Sequence, residues 1–277
     1  MKPIKKPDPK DGLIGGALRP NAGISADFAK PIIDLVGLMY RDVKREIERT
    51  FKETNFGSAM DASTSSQSRI ILNYLLKKWT TRFDKLAKRA VDRMISRTMR
   101  NSSVTLGMSL KDASKDFTIN TSFSDAVLQD VIKASTLEAS NLIKLIPQKY
   151  IGEVQGAVMR SITTGNGLQD LVPFLTKKYH GNVRHAKNVA LDQTRKAYQS
   201  INTAKLKALG VKKFIWIHSG GGKEPRPLHV KMSGNEYSFD DPPYIGMMYG
   251  NEVRGLPADL PNCRCICKPI ITFDLEE

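Results

Sequence analysis

Cys263, Cys265 and Cys267 occupy alternate positions within five residues, and the chain of 277 residues has no other cysteine. Thiols confined to one short segment point to a metal site or a redox pair rather than to the disulfide framework of a secreted domain. In an extended strand, alternate positions face one side, so three thiols can converge. Cys-x-Cys is a weaker zinc signature than the Cys-x-x-Cys of a metal-clipped loop, yet it can supply two ligands where a loop enters a strand. His229 and His218 are the imidazoles of the same region. Buried apolar thiols are the competing reading. A disulfide is disfavoured, because neighbouring strand positions rarely reach its geometry.

Arg226 lies between Pro225 and Pro227, three residues before His229. The prolines argue against a regular helix there and hold Arg226 rigidly. It suits a carboxylate or phosphate, or an internal ion pair with Asp240 or Asp241. No HExxH, P-loop or Gly-x-Ser-x-Gly element is present. Gly220-Gly221-Gly222-Lys223 lacks Walker spacing and reads as a flexible loop. The chain therefore reads as a non-enzyme.

These residues sit at the end of a chain whose earlier part is helical in pattern. The fold class predicted is α+β: an elongated, mainly helical N-terminal region followed by a small β-rich domain. Residues 1–24, rich in Pro and Gly, read as a flexible arm. Residues 25–210 read as the helical region and 211–277 as the β-rich domain with the cysteine cluster. The first helix has Ser25 as its cap or starts near Ala29, and carries Ile32, Leu35, Val36, Met39, Val43 and Ile47 at helical spacing. After a polar linker over 54–68, the strongest helix spans 67–100, with Ile71, Leu75, Trp79, Phe83, Leu86, Ala90 and Met94 as its apolar stripe. Residues 101–123 read as a polar connection with a short strand near Phe117. Pro147 is expected to end or kink a third helix, and Pro173 to break another. The last long helix is expected over 183–209, closed by Gly210.

Lys and Arg outnumber Asp and Glu by 43 to 28, a net charge of +15 that favours an anionic partner. Residues 69–100 hold ten basic and two acidic side chains. Lys77, Lys78, Arg82, Lys85, Arg89, Arg93, Arg97 and Arg100 are the candidate contacts to double-stranded DNA, sequence-independent because no aromatic residues interleave for base stacking. A solvated helix face is the alternative. The first residues lack the apolar core of a signal peptide, and no apolar run approaches the roughly 20 residues of a membrane helix. A protein made in a reducing cytoplasm, without membrane association, is expected.

The ordered C-terminal residues resemble the phage head morphogenesis, or minor head protein, family that includes the Mu F-like proteins. Its pattern is a helix rich in Ala and Asn, then Gly-Val, a Trp-bearing strand, acidic-x-Arg-x-x-His, a glycine, and Asn-Cys-Arg-Cys before an apolar strand. Here these are Ala186 to Leu209, Gly210-Val211, Phe214 to Ile217, Glu224 with Arg226 and His229, Gly234, and Asn262 to Cys265. The resemblance covers about 135–272 and is specific over 186–270. Glu224 replaces the usual Asp, the Gly220–Gly222 loop looks inserted, and Cys267 is an extra thiol. The resemblance implies a minor structural protein of a tailed-phage head. It would be assembled in the host cytoplasm, lie near the portal vertex, and contact portal protein, major capsid or scaffold proteins and packaged DNA. A nonspecific DNA-binding protein ejected with the genome is the alternative. The family pattern pairs the Cys segment with the His after acidic-x-Arg. A structural zinc on Cys263, Cys265 and His229, with Cys267 or His218 fourth, is the expected site, its removal unfolding 211–272 alone.

Overall fold

A computed structural model describes residues 12–55, 63–114, 125–220 and 224–272. The expected strand near Phe117, the first eleven residues of the arm and Gly221–Lys223 lie outside them. The architecture is α+β. Four long helices, α1 (Ala22–Asn55), α2 (Thr64–Ala113), α3 (Asp125–Thr164) and α4 (Leu168–Ala208), accompany short antiparallel strands that are concentrated after residue 212. The chain divides into two compact units, residues 25–93 with 136–190, and residues 1–24, 94–135 and 191–277.

Among the described residues, the first unit is built of helices and holds no strand. Ile32, Val36, Met39, Val43 and Ile47 of α1 are buried, as are Leu75, Trp79 and Phe83 of α2. Both predicted stripes therefore face a core, although Leu35, Ile71 and Leu86 are only half-buried and Leu72 and Ala87 take the inward positions. Asp42 organises polar groups at this core. It accepts from Trp79 Nε1 at 2.9 Å, Lys78 Nζ at 2.7 Å and Arg45 at 2.6 Å.

Prolines do not break these helices. Pro31, Pro147 and Pro173 lie inside α1, α3 and α4, so the third helix does not end at 147 and the expected break at 173 is corrected. A proline removes one backbone donor, but Ile143, Ile146, Tyr150 and Val154 are buried on both sides of Pro147, and Leu171 and Leu175 around Pro173. Tertiary burial holds each helix through its local defect. The start of α1 is also earlier than expected: Asn21 caps it, accepting from Gly23 N at 2.8 Å.

The second unit carries the sheet, in the order β1-β6-β2-β3, with β1 (Leu13–Ile14), β2 (Lys213–Ile217), β3 (Glu236–Ser238) and β6 (Ile266–Ile271), all antiparallel. A separate hairpin pairs β4 (Tyr244–Met248) with β5 (Asn251–Arg254). Residues 12–20 of the expected arm are thus part of the fold: Leu13 pairs with Ile271, and Leu18 is fully buried. Gly15 passes close to Ser109 of α2, where an added Cβ would meet Ser109 Oγ at 2.7 Å and Pro269 Cγ at 2.8 Å.

Residues 101–113, expected as a connection, continue α2. Their inward positions are Ser102, Leu106, Ser109 and Leu110, a sparse apolar signal. The core of this unit joins Leu106 and Leu110 of α2, Tyr198 and Leu206 of α4, and Phe214, Trp216, Ile245 and the three cysteines. The strands after residue 211 therefore share one core with helix ends, and the expectation that they would unfold without disturbing the helices is withdrawn.

Candidate metal centre and its surroundings

The cysteine segment straddles a turn and a strand. Cys263 and Cys265 precede β6, and Cys267 is its second residue. The turn from Leu260 closes through Cys263 N to Leu260 O at 3.0 Å. Asn262 adopts φ 60°, a left-handed conformation that Asn tolerates better than most residues. Two groups from elsewhere fix this turn. Asp192 of α4 accepts from Asn262 N at 2.6 Å, and Arg226 donates to Pro261 O at 3.0 Å. The predicted pairing of Arg226 with Asp240 or Asp241 is corrected: Asp240 pairs with Lys207 and Asp241 with Arg254, each at the surface.

The segment after Arg226 is a short helix, α5 (Pro227–Lys231), against the expectation. Pro227 stands at its first turn, where the missing N–H costs nothing. α5 carries His229 into the interior. His229 Nε2 lies 2.9 Å from Ile245 O. A carbonyl only accepts, so Nε2 bears the proton and Nδ1 is turned toward the thiols. Nδ1 is 3.5 Å from Cys263 Sγ and 3.6 Å from Cys265 Sγ. These three ligand atoms lie within 4.8 Å of one another, and all three residues are buried.

The two N···S distances fit a tetrahedral ion. The usual Zn–N and Zn–S lengths at a tetrahedral angle set N···S at about 3.6 Å. A thiol–imidazole hydrogen bond has a similar length, but one Nδ1 lone pair takes one proton, and here two sulfurs lie within 0.1 Å of the same distance from it, 3.5 and 3.6 Å. The Ile245 carbonyl supplies the outer hydrogen bond that orients a ligating histidine. Trp216 adds a further sign. Its indole Nε1 is buried and makes no hydrogen bond of ordinary geometry, yet its N–H favours the charged form of Cys265. A thiolate accepts such a donor far better than a thiol does. The Trp216 ring also meets His229 edge-on at 5.1 Å.

Among the protein groups alone, the thiol of Cys265 and then His229 hold Cys263 well below the ordinary thiol range against burial. Cys265 is pushed far up, first by Cys263 and then by burial. The bond to Cys263 raises His229, opposed by burial. The expected fourth ligands do not join the cluster. Cys267 Sγ sits against Gln199 of α4, 3.3 Å from Nε2, and burial pushes its thiol up to about 11. The three thiols do not share one face, because only Cys267 lies within the regular strand. His218 Nδ1 is 3.3 Å from Gly220 N, outside the cluster. Gln199, Asp192 and Ile245 escaped the sequence reading, since nothing local marks a helix glutamine as facing a thiol, a helix aspartate as facing a turn N–H or a strand carbonyl as facing an imidazole.

Arg195 of α4 and Arg264 lie beside this centre. Burial, and then the charge of Arg264, lower the Arg195 guanidinium from its ordinary value. The α2 candidates divide. Lys77, Arg82, Lys85, Arg89, Arg93 and Arg100 are exposed, whereas Arg97 is half-buried. Lys78 is drawn to Asp42, and Arg82 lies over the Trp79 ring at 5.0 Å.

Residues 152–268 match the family described as Phage Mu protein F like protein, a span that contains α5, the metal-centre residues and most of the sheet. The resemblance read from the motifs is therefore found independently, and it is to a family of phage proteins. An uncharacterized protein of Haemophilus influenzae is 28% identical over 141 residues, half of this chain and 30% of that protein's length. The chain thus spans under a third of that relative. No solved structure matches the chain. No helix among the described residues is long and apolar enough to cross a membrane.

Proposed function

We propose that the chain is a minor structural protein of a tailed-phage head, near the portal vertex and in contact with portal, capsid or scaffold protein. The observation that supports it is the match over 152–268, which includes the buried His229–Cys263–Cys265 centre. In this reading the centre holds one structural zinc, and catalysis has no part. His229, Cys263 and Cys265 would bind the ion, whose contribution is to tie α5 to the turn before β6. Mass spectrometry of purified virions, with crosslinking to portal protein in procapsids, tests the placement. A few copies per head crosslinked to portal are expected. Heads that form normally and lack the chain would refute it.

The exposed cations of α2 support contact with packaged DNA. Delivery with the genome is the second reading, and these side chains favour it. Protein recovered from emptied heads would remain with the portal in the first reading and be lost in the second.

A further inference from the structure

The hairpin of β4 and β5 stands outside the four-stranded sheet, and its two edges differ. Beside β4, the Ile245 carbonyl accepts from His229 of α5, so that edge is covered. Among the described residues no strand pairs with the outer edge of β5, and Asn251, Glu252 and Arg254 are exposed. Tyr249 and Gly250, at φ 53° and 83°, form the turn. A two-residue turn closes on Met248 and Asn251 as a hydrogen-bonded pair, which leaves Glu252, opposite Met247, in a non-hydrogen-bonded position. Gly255 N donates to Pro243 O at 2.9 Å, which puts Arg254, opposite Tyr244, in the same kind of position. The backbone N–H and C=O groups of Glu252 and Arg254 therefore point away from β4, along the open edge. Their side chains carry opposite charges on either side of Val253. Glu252 makes no ion pair among the described residues, and Arg254 meets Asp241 at 2.7 Å at the surface.

We propose that this edge pairs with the same edge of a second copy of the chain, as a two-fold antiparallel ladder centred on Val253. Residues opposed across such a ladder must both turn their backbone groups outward, so the open registers are those centred on Glu252, Val253 or Arg254. The first sets carboxylate against carboxylate and the last guanidinium against guanidinium, both destabilising. The register centred on Val253 sets each Glu252 opposite Arg254 of the other copy. A charged edge ordinarily prevents strand pairing. Here the alternation of sign blocks two registers and completes the third. Met247 and Tyr244 are exposed and lie across the hairpin from Glu252 and Arg254, so in the joined sheet they flank each ion pair and shield it from water. The contact is isologous and closes at two copies. It is confined to short strands and smaller than a standard interface, so the pairing is weak, with a Kd of about 10–100 µM. The inference stands on the hairpin alone and does not depend on the zinc or phage-head readings.

The test is sedimentation equilibrium of the full chain from about 1 µM to about 1 mM, a range that brackets the expected Kd. The net charge of +15 repels two copies at long range, so the salt is set at about 0.15 M, where the Debye length is about 8 Å. A reversible monomer–dimer equilibrium is expected. Glu252→Arg and Arg254→Glu should each weaken it by at least about tenfold. Both side chains are exposed, so both variants should melt like the parent. Mixing the two variants restores opposite charges at every opposed position, and the mixture should dimerise about as well as the parent. A stable fold alone does not produce that rescue. A parent that stays monomeric throughout the range overturns the proposal. So does a dimer that Glu252→Arg leaves unchanged, which would mark an interface elsewhere, and so does a mixture of two folded variants that stays monomeric. Should Arg254→Glu fail to fold, Glu252→Arg alone decides.

Discussion

Replacing the three cysteines singly with serine separates a metal centre from a cluster of buried thiols. Cys263 and Cys265 face the same Nδ1 of His229, and Cys267 faces Gln199. Structural zinc contributes about 10–16 kcal/mol in small sites, so losing one of three protein ligands costs at least about 3 kcal/mol. Near 200 residues each kcal/mol lowers Tm by about 2–4 °C, which predicts a fall of about 6–12 °C for Cys263→Ser and for Cys265→Ser. Cys267→Ser keeps a hydroxyl near Gln199, so its cost is about 1 kcal/mol and its fall about 2–4 °C. Elemental analysis should find one zinc in the parent and in Cys267→Ser, and much less in the other two. A chelator should bring the parent down to the level of Cys263→Ser and barely move that variant. The loss should include the helix ends, because Leu106, Leu110 and Leu206 share the core with Trp216 and the cysteines. A metal-free parent, with three serine variants of equal stability, would refute this reasoning and leave the thiols as ordinary core residues.

Reversing Lys85, Arg89, Arg93 and Arg100 to Glu should weaken duplex binding and reduce the salt slope by about 3–4, as read by titration at several salt concentrations. Lys78 is left out because its reversal would place a second carboxylate against Asp42, and unchanged binding would mark the stripe as a solvated face. Asp42→Ala should cost about 3 kcal/mol in denaturant unfolding, since it strands the buried Trp79 indole N–H and Lys78; Asp42→Asn, which keeps an acceptor, should cost clearly less. Lys205 is buried, donates to Ser103 Oγ at 2.8 Å, and is lowered by burial to about 8. The unfolded chain therefore binds the extra proton between about pH 8 and 10.5, and stability should rise with pH there by up to about 1.4 kcal/mol per unit. Lys205→Met should remove that rise, and an identical slope in parent and variant would count against it.

Helix content was legible where apolar residues recur without interruption. Leu75, Trp79 and Phe83 are spaced by four, and all three are buried. Prediction failed where burial is carried by residues that look polar. Ser102 donates to Asn202 at 2.9 Å and Ser109 to the Gly16 carbonyl at 2.6 Å, so the last turns of α2 pack through hydroxyls that a hydropathy pattern does not register. β1 is too short to show a period, and its strand exists because β6 offers an edge. The prolines misled for the opposite reason. A local rule is outweighed when flanking residues are buried by distant ones.

The metal centre was half legible, and its two halves depend on different information. The alternation of Cys263, Cys265 and Cys267 suggested three equivalent thiols, because strand geometry was assumed throughout. The left-handed Asn262, tied to Asp192, starts the segment as a turn, so Cys263 and Cys265 face His229 while Cys267 enters the strand opposite Trp216 and meets α4. The Asn of Asn-Cys-Arg-Cys thus has a physical task, to reach the αL region and present its N–H to Asp192. His229 depends in turn on Pro227 starting a helix rather than preventing one, and on Arg226 bonding the carbonyl one residue before Asn262. Each residue of the acidic-x-Arg-x-x-His and Asn-Cys-Arg-Cys patterns that the structure brings together acts on the same turn. That mutual dependence, rather than the thiol count, separates the two ligating cysteines from the third.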